Sequence, residues 1–236
     1  NGDKHALYKA SLDMADCAAA SSQFSLAVDS YNDCLMATSD SENSNDDADV
    51  LQRMGDIEMN GLQKYEDATK HFLDALEICR ARVHNEVDGD VDDQSVNGDD
   101  GEKATLLALL YKTAQSYYLS KDYENALEYF EEHIKMIEST SPVNEELLAD
   151  SLLQMGNIFA EMDDPEYDLA VEKLTECLDI KKEVFGPEND QVAEVNYALG
   201  LVYEKARDVS KATTHLAEAL RFFKMKRNRA GAANVY

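Results

Sequence analysis

The sequence predicts an all-α chain built as a stack of five helical hairpins. Three observations carry that reading: columns of residues recur in five registers along the chain, apolar residues within them step by three and four, and turn-forming stretches separate the halves of each unit. The columns start from five small residues, Ala15, Gly55, Ala114, Gly156 and Gly200. Met14, Met54, Thr113, Met155 and Leu199 come just before them, and Ala18, Glu58, Tyr117, Phe159 and Tyr203 three residues after. Twelve to fourteen residues downstream stands an alanine each time: Ala27, Ala68, Ala126, Ala170 and Ala212. Four residues further are Tyr31, Phe72, Phe130, Leu174 and Leu216. Seven further are Cys34, Ala75, His133, Cys177 and Ala219, followed by Leu35, Leu76, Ile134, Leu178 and Leu220.

Each column has a packing meaning. The three- and four-residue steps are the stripe of an amphipathic helix. Asn60-Gly61, Ser120-Lys121-Asp122 and Asp163-Asp164-Pro165 break that stripe between halves, so each unit reads as two antiparallel helices and a short turn. A small residue in the first helix and Ala in the second let the backbones approach while larger side chains interlock around them. One hairpin cannot bury its apolar face alone, so neighbours must stack.

These columns resemble the tetratricopeptide repeat (TPR), over nearly the whole chain. The units fall at about 8–38, 48–81, 104–139, 147–183 and 190–227, in a single domain over 1–236. The resemblance implies a right-handed α-solenoid. Departures are Glu58 in place of an aromatic, Thr113 in place of Leu, and His133 in place of a small residue. Spacings of 40, 59, 42 and 44 between the small residues, and the run Leu178 to Pro187, look like the kinesin-light-chain variety of repeat. Pro142 and Pro187 hold matching places ahead of Gly156 and Gly200, where Pro suits a helix start.

Charge is unevenly spread. Twenty-two basic against forty-eight acidic residues leave a net charge of −26, which argues against nucleic acid as partner. The 59-residue spacing exposes an insertion: 83–102 carries eight acidic residues and no Lys or Arg, and 39–50 carries five. These two segments read as solvated acidic loops. Two sharper readings of them are a calcium loop begun by Asp88, Asp90 and Asp92, opposed by Asp93 and Asp99 at positions that need Gly and Glu, and phosphorylation at Ser39 and Ser44. The balance reverses in the basic end, 221–236, where Arg221, Lys224, Lys226, Arg227 and Arg229 flank Phe222 and Phe223. Those two rings are candidates for docking at the end of the stack, onto a second copy, another subunit or a further segment.

No Gly-rich phosphate loop, His-Glu-x-x-His or nucleophile elbow is present in the sequence, so the expectation is a non-enzyme with no metal and no cofactor. His71 and His215 are expected at the surface. Cys17, Cys34, Cys79 and Cys177 show no zinc or disulfide spacing, which suits core thiols in a reducing, cytoplasmic setting. No run of eighteen apolar residues would span a membrane.

The TPR resemblance implies a concave side lined by the first helices, which captures an extended segment or helix of another protein. The inward steps give Gln52, Asp56, Tyr111, Gln115, Tyr118, Leu153, Asn157, Tyr197 and Leu201 as groove residues. Leu12, Asp16, Gln52, Asp56, Tyr111 and Gln115 stand where a chaperone-binding carboxylate clamp would need Lys, Arg and Asn, so an apolar or aromatic ligand with neutral or basic flanks is expected. The function expected is a protein-binding adaptor; the alternative is a permanent structural subunit docked through its ends or convex face.

Overall fold

A computed structural model describes residues 2–38, 44–88 and 99–233. Ten α-helices follow one another among them: α1 (Gly2–Ala20), α2 (Phe24–Thr38), α3 (Ser44–Ile57), α4 (Tyr65–Asp88), α5 (Asp99–Leu119), α6 (Tyr123–Glu138), α7 (Glu145–Glu161), α8 (Tyr167–Phe185), α9 (Asp190–Lys205) and α10 (Val209–Ala233). They pair in sequence into TPR-like hairpins and form two compact units, Asn1–Tyr129 and Phe130–Tyr236, divided within α6.

Helix reaches into both segments expected as acidic loops. α3 already begins at Ser44, α4 continues to Asp88, and α5 starts at Asp99. Helix propagation from a well-packed stripe offsets the charge repulsion of a terminal turn, since each added residue gains a backbone hydrogen bond. Ser39, Asp90, Asp92 and Asp93, and the side chains of Ser44, Asp88, Asp99 and Arg229, lie outside the described residues.

The recurring columns are the core. Ala27, Ala68, Ala126 and Ala170 are fully buried, with Ala212 close behind, and Tyr31, Phe72, Phe130 and Leu174 fill the interior beside them. The glycines mark where second-helix side chains press closest. A Cβ on Gly55 would lie 2.5 Å from Phe72 Cε1, one on Gly156 2.6 Å from Leu174 Cγ, and one on Gly200 2.6 Å from Leu216 Cγ. Each clash falls on the aromatic or Leu of the same unit's second helix, which is why the two columns go together. Met14 and Leu220 are exposed while Met54, Met155, Leu76 and Leu178 in the same columns are buried.

One wiring scheme closes all five hairpins. The backbone N–H groups of Gln23, Lys64, Asp122, Glu166 and Asp208 donate to the carbonyls of Ala18, Glu58, Tyr117, Phe159 and Tyr203. The carbonyls of those same five turn residues then accept from the amides of the column alanines, at 2.9–3.0 Å. In three hairpins the bond returns five residues, a helix-ending motif that needs a left-handed residue: Ser22 (φ 57°), Lys121 (φ 65°) and Arg207 (φ 63°). The second hairpin takes one extra residue as a π-helical turn, Glu58–Leu62, with Gln63 left-handed at its end. The fourth takes two extra, spanning Asp163-Asp164-Pro165. Twelve, thirteen or fourteen residues between columns thus measure the turn, not the helices.

The three departures from the repeat pattern are buried polar groups with partners. Glu58 Oε2 lies 2.7 Å from His71 Nδ1, Thr113 donates to the Leu109 carbonyl at 2.8 Å, and His133 Nδ1 lies 2.7 Å from Ser151 Oγ. Burial pushes His133 down to about 4, so it is neutral near pH 7. Both histidines expected at the surface are half-buried instead. His71 is recruited by the buried carboxyl that replaces an aromatic, and His215 bonds Asn196 at 3.0 Å and stacks on Tyr203 at 5.5 Å. Cys34, Cys79 and Cys177 are buried free thiols, burial holding Cys177 up at about 12, whereas Cys17 is exposed. Pro142 and Pro187 precede the helices rather than start them. Asn144 and Asn189, two residues on, are the N-caps, accepting from the amides of Leu147 and Gln191.

Candidate functional site

The expected binding residues divide five and four between the two units. In the first, Gln52 and Asp56 sit on α3, and Tyr111, Gln115 and Tyr118 on α5, all half-buried. Ion pairs stitch these first helices together. Arg53 on α3 reaches Asp16 on α1 at 3.0 Å and Asp49 at 2.8 Å, while Tyr31 donates to the same Asp16 carboxylate at 2.5 Å. Lys112 on α5 reaches Asp56 on α3 at 2.6 Å. The cation lies two residues before the small column residue of one repeat, and the acid one residue after that of the preceding repeat. Asp56 is therefore occupied within the unit. Tyr118 packs on Tyr123 at 6.2 Å, and Tyr117 stacks on Tyr129 at 5.5 Å, so rings here also fill seams.

In the second unit, Leu153 and Asn157 lie on α7 and Tyr197 and Leu201 on α9. Two cations fix how these parallel first helices sit side by side. Lys181 of α8, only 3 % exposed, donates to Asp150 of α7 at 2.7 Å and to Gln191 of α9. Lys205 of α9 donates to the Ala160 carbonyl, capping the end of α7. In the repeat register Leu153 corresponds to Tyr197, three residues before the column glycines, and Asn157 to Leu201, one residue after them. Tyr197 is 51 % and Leu201 36 % exposed, while Leu153 and Asn157 are half-buried. The outward stripe of α9 continues to exposed Glu194 and Glu204, one turn to either side, and α7 adds Glu161 at its end. The result is an apolar and amide centre with an acidic rim.

Sequence reasoning missed Lys181 and the Arg53 and Lys112 pairs. The pairs were signalled by the cation two before one small residue and the acid one after another; Lys181 had no signal, because its column reads as surface. The first unit also holds an open cleft of about 450 Å³ at the hairpin tips, lined by Tyr65, Asp67, Leu119 and Lys121 among others. Phe222 is half-buried and Phe223 is 42 % exposed, set edge-on at 5.9 Å. Among the described residues no group of His, Cys, Asp and Glu could hold a metal ion, and no helix is long and apolar enough to cross a membrane.

Paired antiparallel helices with a small-residue column define a helical-hairpin repeat protein. Tetratricopeptide-repeat family models match residues 147–225 and 108–135, and the chain is a TPR protein. No curated protein matches its sequence. Among solved structures, the apo form of RapI is similar with TM-score 0.73 at 15 % identity, over 96 % of this chain and 74 % of RapI. A kinesin-light-chain protein with nearly identical TPR-like repeats from Podospora anserina has TM-score 0.69 at 11 % identity, over 92 % and 95 %. BtubC (BKLC) from P. vanneervenii has TM-score 0.68 at 16 % identity, over 90 % and 78 %. The likeness to kinesin-light-chain repeats expected from the spacing is thus present in the fold.

Proposed function

We propose that this protein is a non-catalytic adaptor that binds a segment or helix of a partner protein on the faces of its first helices. The observation that carries the reading is the α7 and α9 wall: exposed Tyr197 and Leu201 beside half-buried Leu153 and Asn157, rimmed by Glu194, Glu204 and Glu161. Tyr offers a large contact area at low entropic cost, and Asn can both donate to and accept from a ligand backbone. The rim selects an apolar or aromatic anchor with basic flanks. On the first unit, Gln52, Tyr111, Gln115 and Tyr118 would supply contacts of the same kind, with Asp56 tied to Lys112.

Fluorescence anisotropy with short synthetic peptides tests this. A peptide with an aromatic centre and Lys or Arg flanks should bind, an Asp- or Glu-flanked one should not, and Asn157→Ala should weaken binding by about 1–3 kcal/mol. Preference for the acidic peptide would refute the reading. A second reading, permanent assembly through the ends, draws on exposed Leu220 and Phe223; an inability to exchange a bound partner on dilution would favour it.

A further inference from the structure

The last turns of α10 present a face whose chemistry complements the α7 and α9 wall. Leu220, Phe223, Lys224 and Arg227 stand at i, i+3, i+4 and i+7 of one helix, so they share a side. Leu220 is 52 % exposed and Phe223 42 %, with Lys224 and Arg227 exposed beside them. The neighbouring cations are engaged: Arg221 pairs with Glu218 and Lys226 with Asp190. What remains outward is two large apolar side chains followed by two positive charges. The wall offers a ring and a Leu between carboxylates. On a chain of net charge −26, copies repel at distance, and a basic tip is where approach to an acidic rim becomes favourable.

We infer that the occupant of the wall is the α10 tip of a second copy of this chain, an inference that rests on the wall being the binding surface proposed above. Leu220 and Phe223 cover Tyr197 and Leu201, and Lys224 and Arg227 reach the rim carboxylates of Glu194 and Glu204. Donor and acceptor surfaces lie on different helices. The contact is therefore heterologous: each docked copy still offers a free wall or a free tip, and copies add in a chain or close into a ring.

Sedimentation velocity on the full chain tests this, with circular dichroism confirming that each variant is folded. The average mass of the native chain should rise with concentration up to about 100 µM, a range that populates a contact of micromolar strength. A wall-reversed chain, Glu194→Lys with Glu204→Lys, and a tip-reversed chain, Lys224→Glu with Arg227→Glu, should each self-associate about tenfold more weakly or less, the scale of losing a charged contact. Mixed together, they should associate again as alternating copies, because the native tip of one meets the native wall of the other and the reversed tip meets the reversed wall. All four substitutions in one chain should restore growth. A native chain that stays monomeric throughout, or reversed chains that associate as the native one does, would overturn the inference. If the native chain is monomeric yet a basic-flanked peptide binds and Asn157→Ala weakens it, the wall stands and only its occupant is wrong. If the peptide also fails, both readings fall.

Discussion

The first-helix faces of the two units are built from equivalent positions and use charge in opposite ways. In the first unit, Arg53 and Lys112 turn the acids Asp16 and Asp56 inward on the unit itself. In the second, the equivalent positions hold Gln154 and Ala198 where the cations would be and Asn157 and Leu201 where the acids would be. The cations that align α7 and α9 come from elsewhere, Lys181 from underneath and Lys205 from the far end. One face is stitched through its outer positions. The other is stitched from behind, and its outer positions stay clear of those ties, as the proposed binding wall requires. Two repeats can thus share a backbone scheme while the choice of two residues decides whether a wall is tied through its outer positions or leaves them untied.

The largest expected effect breaks the second unit outright. Gly156→Leu forces side-chain atoms into Leu174, where even a Cβ comes within 2.6 Å, and should lower stability by about 1–3 kcal/mol in a denaturant melt. Acid should act on the same unit. His133 binds a proton readily when unfolded and only near pH 4 when folded, so the unfolded state holds more protons between those values. Its contribution is fully present above about pH 6.5 and is lost as pH falls toward 4, at most about 3 kcal/mol. His133→Gln should flatten that part of the stability profile. Asp56→Asn sharpens the contrast between the faces: it breaks a part-exposed pair and should cost less than about 1 kcal/mol of stability, whereas Tyr197→Ala should leave the melt within error and reduce peptide binding. The smallest change is a gain. Lys121→Gly relieves a left-handed residue and should stabilise by about 0.5–1 kcal/mol.

Sequence columns reveal the hairpins because a buried Ala or Gly opposite a large side chain leaves no freedom of size. Ala68 and Phe72, or Ala170 and Leu174, must recur wherever two backbones approach. The candidate wall was legible for a related reason, since Tyr197 and Leu201 fall on a helical step that the core columns leave outward. What stayed hidden depends on pairing across helices. His71 reads as a surface residue until Glu58 is seen buried against it, and Lys181 reads as a solvated cation until Asp150 and Gln191 are seen on either side. A helical period tells which way a side chain points from its own axis, not which charge waits on the next one. The reach of α3 back to Ser44 was hidden as well, because acidic composition argues for a loop while the stripe that draws the residues into helix lies further along the chain.

The shared turn wiring has a consequence for how such a chain can change. Because the same carbonyl and amide are joined whether four, five or six residues lie between them, the tips of the hairpins tolerate added length without moving the helices they connect. The stretch from Asp163 to Pro165 is already such an addition. New residues grafted there, an epitope or a small reporter, should ride on the outside while the framework beneath keeps its register.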